Sequence, residues 1–315
     1  MDSKAKRVPK IGLALASGGA RGSAITGVLK VLAREGIPIC AVAGSSIGSL
    51  IGAAYAVGIP VEDVEKEWLE ADVTMLFRSF LPTFPRSGFS SGAELRKYLT
   101  RLLGDGSIEQ LSMPYAAVAC DIDTGEAVVL REGAVVDAVR ASTAIPGVFH
   151  PVRRGNRLLV DGGLVAPLPV ETCRSLGAEI VIAVDISPKP VPTTQTSRNV
   201  WERIGEHLHE GLSQRSWIPS SLAELLDNAF RERPETARPL PGLYSILNQS
   251  ISILTQEILR QQLILHPPEL LIQPDLSLST MSYLRAADGI AAGEAAAEAA
   301  LPALRSLLDR KAEVS

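Results

Sequence analysis

Histidine and cysteine are scarce in this chain, with four of the first and three of the second among 315 residues. Cys40, Cys120 and Cys173 show no metal-ligand spacing, so no zinc module or disulfide framework organises the fold, and the odd count fits a reducing compartment. No excess of positive charge is present either. Lys and Arg total 31 against 35 Asp and Glu, a net charge of −4. That balance makes no electrostatic case for nucleic acid, and no run of basic residues marks a polybasic membrane anchor. Internal repeats are absent, as are the G-K-[ST] of a P-loop and the acidic loop of an EF-hand. What is present is a composition 46% hydrophobic and 21% charged, which is that of a globular chain with a sizeable core.

One apolar run needs a decision. From Gly36 to Val61 there are 26 positions without a charge, whereas a bilayer span takes about 20 apolar residues. Gly44, Gly48 and Gly52 also share the four-residue spacing of a membrane helix-dimer seam. Pro38 and the Gly44-Ser45-Ser46 turn interrupt any single helix, however, and Ile39-Cys40-Ala41-Val42-Ala43 reads as a short buried strand. The run is therefore read as strand, turn and helix. At the N-terminus, Lys4, Lys6, Arg7 and Lys10 precede Ile11–Ala16 in the manner of a secretory signal. The apolar run is short and Arg21 follows it closely, so a basic tail leading into a first core strand is preferred. The expected location is the cytoplasm, with peripheral membrane association as a further option.

Short apolar runs at 10–16, 39–43, 115–121, 127–131, 157–160 and 180–186 read as strands. Helical patterns at 22–35, 46–58, 61–70, 91–103, 133–142 and 168–176 alternate with them. This alternation predicts an α/β fold with a mainly parallel central sheet and helices on both faces. Residues 187–199, rich in Pro, Ser and Thr, read as a linker. Beyond it come helical segments at 199–212, 219–230 and 243–265, a strand at 269–273 and an alanine-rich helix over 281–310. That late strand predicts a return to the same sheet. One domain over 9–310 is therefore expected, with its core at about 10–186 and its C-terminal helical region at 200–310.

Gly44-Ser45-Ser46-Ile47-Gly48 fits G-x-S-x-G between a strand and a helix, the setting a nucleophile elbow requires. The helix N-terminus beyond it favours developing negative charge. Ser17-Gly18-Gly19-Ala20-Arg21-Gly22 follows the first strand and directs backbone N–H groups outward, which suits a phosphate, an oxyanion or a plain structural turn. Ser17 replaces the first glycine of G-x-G-x-x-G, so a dinucleotide fingerprint fails. Asp161-Gly162-Gly163 ends another strand. Taken alone it is a turn aspartate; beside a serine elbow it is a candidate general base. A Ser-His-Asp triad would need one of His150, His207, His209 or His266, and none stands at a strand end. A Ser-Asp pair is at least as economical.

These segments together resemble the bacterial patatin-like phospholipases. The resemblance is carried by the Ser17–Gly22 loop with Gly27-Val28-Leu29, by Gly44–Gly48, and by Asp161-Gly162-Gly163. Asp121-Ile122-Asp123-Thr124-Gly125, Ala141–Gly147 and Pro167-Leu168-Pro169-Val170 extend it over roughly residues 10–190. It implies a serine acyl hydrolase without metal or organic cofactor, with Ser46 as nucleophile and Asp161 as general base. Backbone N–H groups of Gly18, Gly19, Ala20 and Arg21 would form the oxyanion hole, with Gly22, Gly44, Gly48, Gly162 and Gly163 as motif glycines. Two departures from the family's pattern stand out: Ser17 in place of a loop glycine, and Ile25-Thr26 in place of a His-Ile pair.

Phe77, Phe80, Phe84 and Phe89 cluster near Trp68, in a segment broken by Pro82, Pro85 and Gly88. They read either as core packing or as an acyl-binding wall and lid that could touch a membrane. The amphipathic 199–230 region, with Trp201 and Trp217, is a candidate for the same role or for a homodimer contact. The expected partner is a lipid or other acyl ester. Two alternatives stay open: a non-catalytic scaffold on the same fold, and a histidine-dependent esterase or thioesterase using His150 or His266.

Overall fold

The computed structural model describes residues 9–70, 92–187, 243–276 and 283–314. Its frame is an eight-stranded sheet. The strands are β1 (Ile11–Leu15), β2 (Ile39–Ser45), β3 (Tyr115–Asp121), β4 (Ala127–Leu130), β5 (Val152–Arg154), β6 (Arg157–Asp161), β7 (Ile180–Val184) and β8 (Leu270–Ile272). The helices are α1 (Ser23–Arg34), α2 (Ile47–Val57), α3 (Val61–Leu69), α4 (Ala93–Leu103), α5 (Val135–Ser142), α6 (Val170–Ser175), α7 (Leu243–Leu265) and α8 (Ala286–Val314). Strands β1, β3 and β7 are buried along their whole length, as parallel strands covered on both faces must be. The run β3-β2-β1-β7-β8 is parallel, and β4, β5 and β6 are antiparallel additions.

The register at β3 positions the site. Strand β4 pairs with Ala117–Cys120, β2 with Tyr115–Val118, and β6 with Ala119–Asp121. A strand has two edges, and each residue offers one partner per edge. Because β4 overlaps both of the others, β2 and β6 must share the opposite edge. Strand β2 runs up that edge and stops; β6 runs down it and stops at Asp161. The two strand ends therefore meet head to head beside Val118 and Ala119.

Contacts divide the chain into two compact units, Met1–Lys189 with Ile253–Ser315, and Pro190–Ser252. The sheet lies wholly in the first. Within that unit β8 adds to β7, and Gln262 of α7 donates to Val165 O at 2.7 Å. Helix α8 crosses α1 at closest approach: a Cβ on Gly27 would lie 2.0 Å from Ile290 O, and one on Gly293 2.0 Å from Ala24 O. The alanine-rich composition of α8 serves this packing. Lys30–Glu294, Arg34–Glu298 and Arg305–Glu35 ion pairs border the crossing. Among the described residues no helix is long and apolar enough to cross a membrane. The uncharged Gly36–Val61 run is instead β2, a bend and α2, whose residues are mostly buried.

Candidate active site

Ser46 is the bend. With φ 53° and ψ −124° it is the one non-glycine residue at positive φ among those described. Holding a side chain there costs about 1–3 kcal/mol, which surrounding structure must offset. Two glycines make room for the bend. A Cβ on Gly44 would lie 2.3 Å from Gly48 O, and one on Gly48 would lie 2.3 Å from Leu15 O. Strand β2 can thus turn directly into α2 against β1 only if both positions lack a side chain. Neighbouring serines fasten the turn: Ser45 Oγ donates to Ala166 O at 2.5 Å, and Ser49 Oγ to Ser46 O at 2.7 Å.

Asp161 ends β6 on the same edge of β3 as the end of β2. Ser46 Oγ donates to Asp161 Oδ2 at 2.6 Å, and the other oxygen, Oδ1, accepts the Gly163 N–H at 2.7 Å. Gly162 allows the meeting, because a Cβ there would lie 2.0 Å from Val118 O. Both Ser46 and Asp161 are only 7% exposed. Burial pushes the Asp161 carboxyl up to about 6, against the opposing pull of the bonds from Ser46 and Gly163. The result is a hydroxyl bonded to a carboxylate whose affinity for a proton has been raised.

The Ser17–Gly22 loop follows β1 and closes into a single 3-10 turn over Gly19–Gly22. The N–H groups of Gly18, Gly19 and Ala20 precede the first donor of that turn and have no partner within it. A Cβ on Gly22 would lie 2.3 Å from Ile47 Cγ1, which seats the loop on the first turn of α2, next to Ser46. Arg21 is 3% exposed, and burial lowers its guanidinium to about 10 while the charge of Asp185 acts the other way. Asp185, buried at the end of β7, accepts from Ser187 N and from Gln273 Nε2, both at 2.8 Å. Ser17 tolerates its position: its N–H reaches Pro167 O at 2.8 Å, and its hydroxyl lies beside Gly163.

The remaining candidates are distributed differently. His266, at the end of α7, pairs with Glu171 at 3.4 Å, and the His150 carbonyl accepts from Arg140 Nη2 at 3.3 Å. The Ser46 hydroxyl is taken by Asp161 rather than by either imidazole. Trp68 donates its indole N–H to Thr26 at 3.0 Å and stacks on Tyr283 with ring centroids 6.2 Å apart. Thr26, one of the two residues that stand in place of a His-Ile pair, thus anchors α3 to α1. Phe77, Phe80, Phe84 and Phe89, and the 199–230 region, lie outside the described residues. Sequence reasoning placed Ser142 within the family-like Ala141–Gly147 segment but assigned it no role; its Oγ accepts the Ser46 N–H at 2.9 Å. Asp185 and Gln273 were missed altogether. Their only signal was polarity beside apolar runs, too common a feature to single them out.

A serine on a strand-to-helix bend, a buried aspartate against it and a glycine loop alongside thus meet on a mainly parallel α/β sheet. The model of one family, patatin-like phospholipase, matches residues 13–174. An uncharacterised NTE family protein of Mycobacterium tuberculosis is 31% identical over 94% of this chain and 92% of its own length. The chain therefore belongs to the patatin-like phospholipase family. Patatin-like phospholipase domain-containing protein 7 of Rattus norvegicus is 36% identical over 57% of this chain, but over only 14% of its own length. Among solved structures, VipD from Legionella pneumophila aligns with 97% of this chain and 67% of its own, at 14% identity and a TM-score of 0.47.

Proposed function

We propose that the protein is a lipid acyl hydrolase acting through a Ser46–Asp161 dyad. The observation that carries this reading is the 2.6 Å bond from Ser46 Oγ to Asp161 Oδ2, made by a serine held at positive φ. As Ser46 Oγ attacks the ester carbonyl carbon, its proton passes to Asp161 Oδ2. The carbonyl oxygen becomes an oxyanion, for which the N–H groups of Gly18, Gly19 and Ala20, outside the bonding of the 3-10 turn, are the proposed donors. Collapse breaks the ester C–O bond. The proton on Asp161 goes to the departing alkoxide, leaving an acyl-serine. Water then attacks the acyl carbon and gives a proton to Asp161, and Ser46 leaves carrying that proton. With its carboxyl at about 6, Asp161 is roughly nine-tenths ionised near neutral pH yet still a competent proton acceptor.

Family membership supports lipid esters as substrates. The test is labelling by a fluorophosphonate, paired with acyl-ester hydrolysis by the wild type and four variants. Ser46→Ala should abolish both, and Asp161→Asn should lower turnover by about 1,000-fold or more. His150→Ala and His266→Ala should each retain most activity. A wild-type protein inert towards phospholipid and short-chain esters would support the scaffold alternative. Loss of turnover confined to a histidine variant would support the triad.

A further inference from the structure

In a parallel pair, every second residue of one strand donates its N–H to the carbonyl just before its partner. Between β2 and β3 this series begins with Val42, paired with Tyr115, whose N–H reaches Pro114 O at 3.0 Å. Gly44 follows opposite Ala116 O, and the next rung would join the Ser46 N–H to Val118 O. That rung is not closed. Ser46 N–H donates instead to Ser142 Oγ at 2.9 Å, and the same hydroxyl donates to Val118 O at 2.6 Å. Ser142 ends α5 and is 0% exposed. One hydroxyl thus stands between the two strands, taking the donor of one and the acceptor of the other.

We propose that Ser142 is a positioning residue that holds the β2–β3 ladder open by one rung, so that Ser46 leaves the strand with its hydroxyl on Asp161. The catalytic consequence rests on the hydrolase reading above; the geometric one does not. Without the wedge, Ser46 N–H and Val118 O would both be buried and unpaired, at a cost of about 1–3 kcal/mol each. The available repair is the direct rung between them. Making it extends Ser46, relieves its positive φ and draws its Oγ away from Asp161. Loss of the hydroxyl should therefore harm catalysis much more than folding, the opposite of what a merely structural buried serine would show.

Ser142→Ala and Ser142→Thr, made in the full chain, test this. For Ser142→Ala, kcat and the fluorophosphonate labelling rate of Ser46 should fall about 100-fold, as a misplacement of about 1 Å can produce. KM should stay within about threefold and the melting temperature within about 3 °C. Ser142→Thr keeps the hydroxyl, and its labelling rate should return to within about tenfold of wild type. The Ser142→Ala crystal structure should show Ser46 extended, with its N–H on Val118 O. Wild-type labelling by Ser142→Ala would overturn the proposal, and so would a crystal structure with Ser46 still at positive φ against Asp161. If wild-type Ser46 itself resists labelling, the hydrolase reading falls, and the crystallographic readout still decides the role of the wedge.

Discussion

Asp161 is held between two opposing demands. Burial favours its neutral form, while the Ser46 hydroxyl and the Gly163 N–H favour the carboxylate, and burial prevails, raising the group from 3.8 to about 6. The sign for stability follows. Below about pH 3 the carboxyl is protonated in both folded and unfolded chains and imposes no penalty. As pH rises towards 6 the unfolded chain releases the proton first, so native stability drains away by about 3 kcal/mol and stays lower above that window. Asparagine never ionises. Urea unfolding should therefore find Asp161→Asn and wild type equally stable near pH 3, and the variant more stable by about 2–3 kcal/mol near pH 7.5. Equal stability at both values would mean that Asp161 is not desolvated as its 7% exposure implies. Ser46 and Asp161 were both legible as local patterns, a G-x-S-x-G after a strand and a D-G-G at a strand end. Ser142 was not, because what distinguishes it is the rung it enters, and that rung exists only once β2, β3 and α5 are assembled.

At the scale of elements, the strands and helices that carry the site could be read from alternating apolar runs, with ends displaced by a residue or two. Strand β2 reaches Ser45, where the apolar run itself stops at Ala43, because Gly44 and Ser45 still pair with Ala117 and Val118. Strand β5 was not legible at all: it has three residues, two of them exposed arginines, and it exists only as the partner of β6. Glycines in helices were legible as residues but not as contacts. In a solvated helix, alanine for glycine stabilises by about 1 kcal/mol. At the α1–α8 crossing the sign should reverse, because the new methyl meets backbone oxygen at 2.0 Å on either side. Gly27→Ala and Gly293→Ala should each destabilise by about 2 kcal/mol or more, measured by urea unfolding. A gain in stability for either would show that the two helices do not approach as closely as described.

For the whole molecule, the question is what the C-terminal part contributes to a site whose chemistry all lies before Lys189. The family match ends at residue 174, yet Ile253–Ser315 belongs to the same compact unit as the sheet. Its contributions fall at the β7 edge of that sheet and on α1. Strand β8 covers the outer edge of β7, Glu269 accepts the Val181 N–H at 2.7 Å and the Arg174 guanidinium at 3.0 Å, and Gln273 supports Asp185. Helix α8 covers the face of α1 that carries Ala24 and Gly27, and α1 in turn follows the Gly18–Arg21 loop without a break. A chain ending at Lys189 would keep every motif residue, but would expose the β7 edge and an apolar helix face and leave Asp185 short of a partner. Unpaired strand edges and bare apolar faces favour association over folding. The truncated chain should therefore be insoluble, or protease-sensitive without a cooperative unfolding transition, and Ser46 in it should not react with a fluorophosphonate. A soluble 1–189 fragment that unfolds cooperatively and labels at the rate of the full chain would show that the first 189 residues fold as an independent hydrolase core.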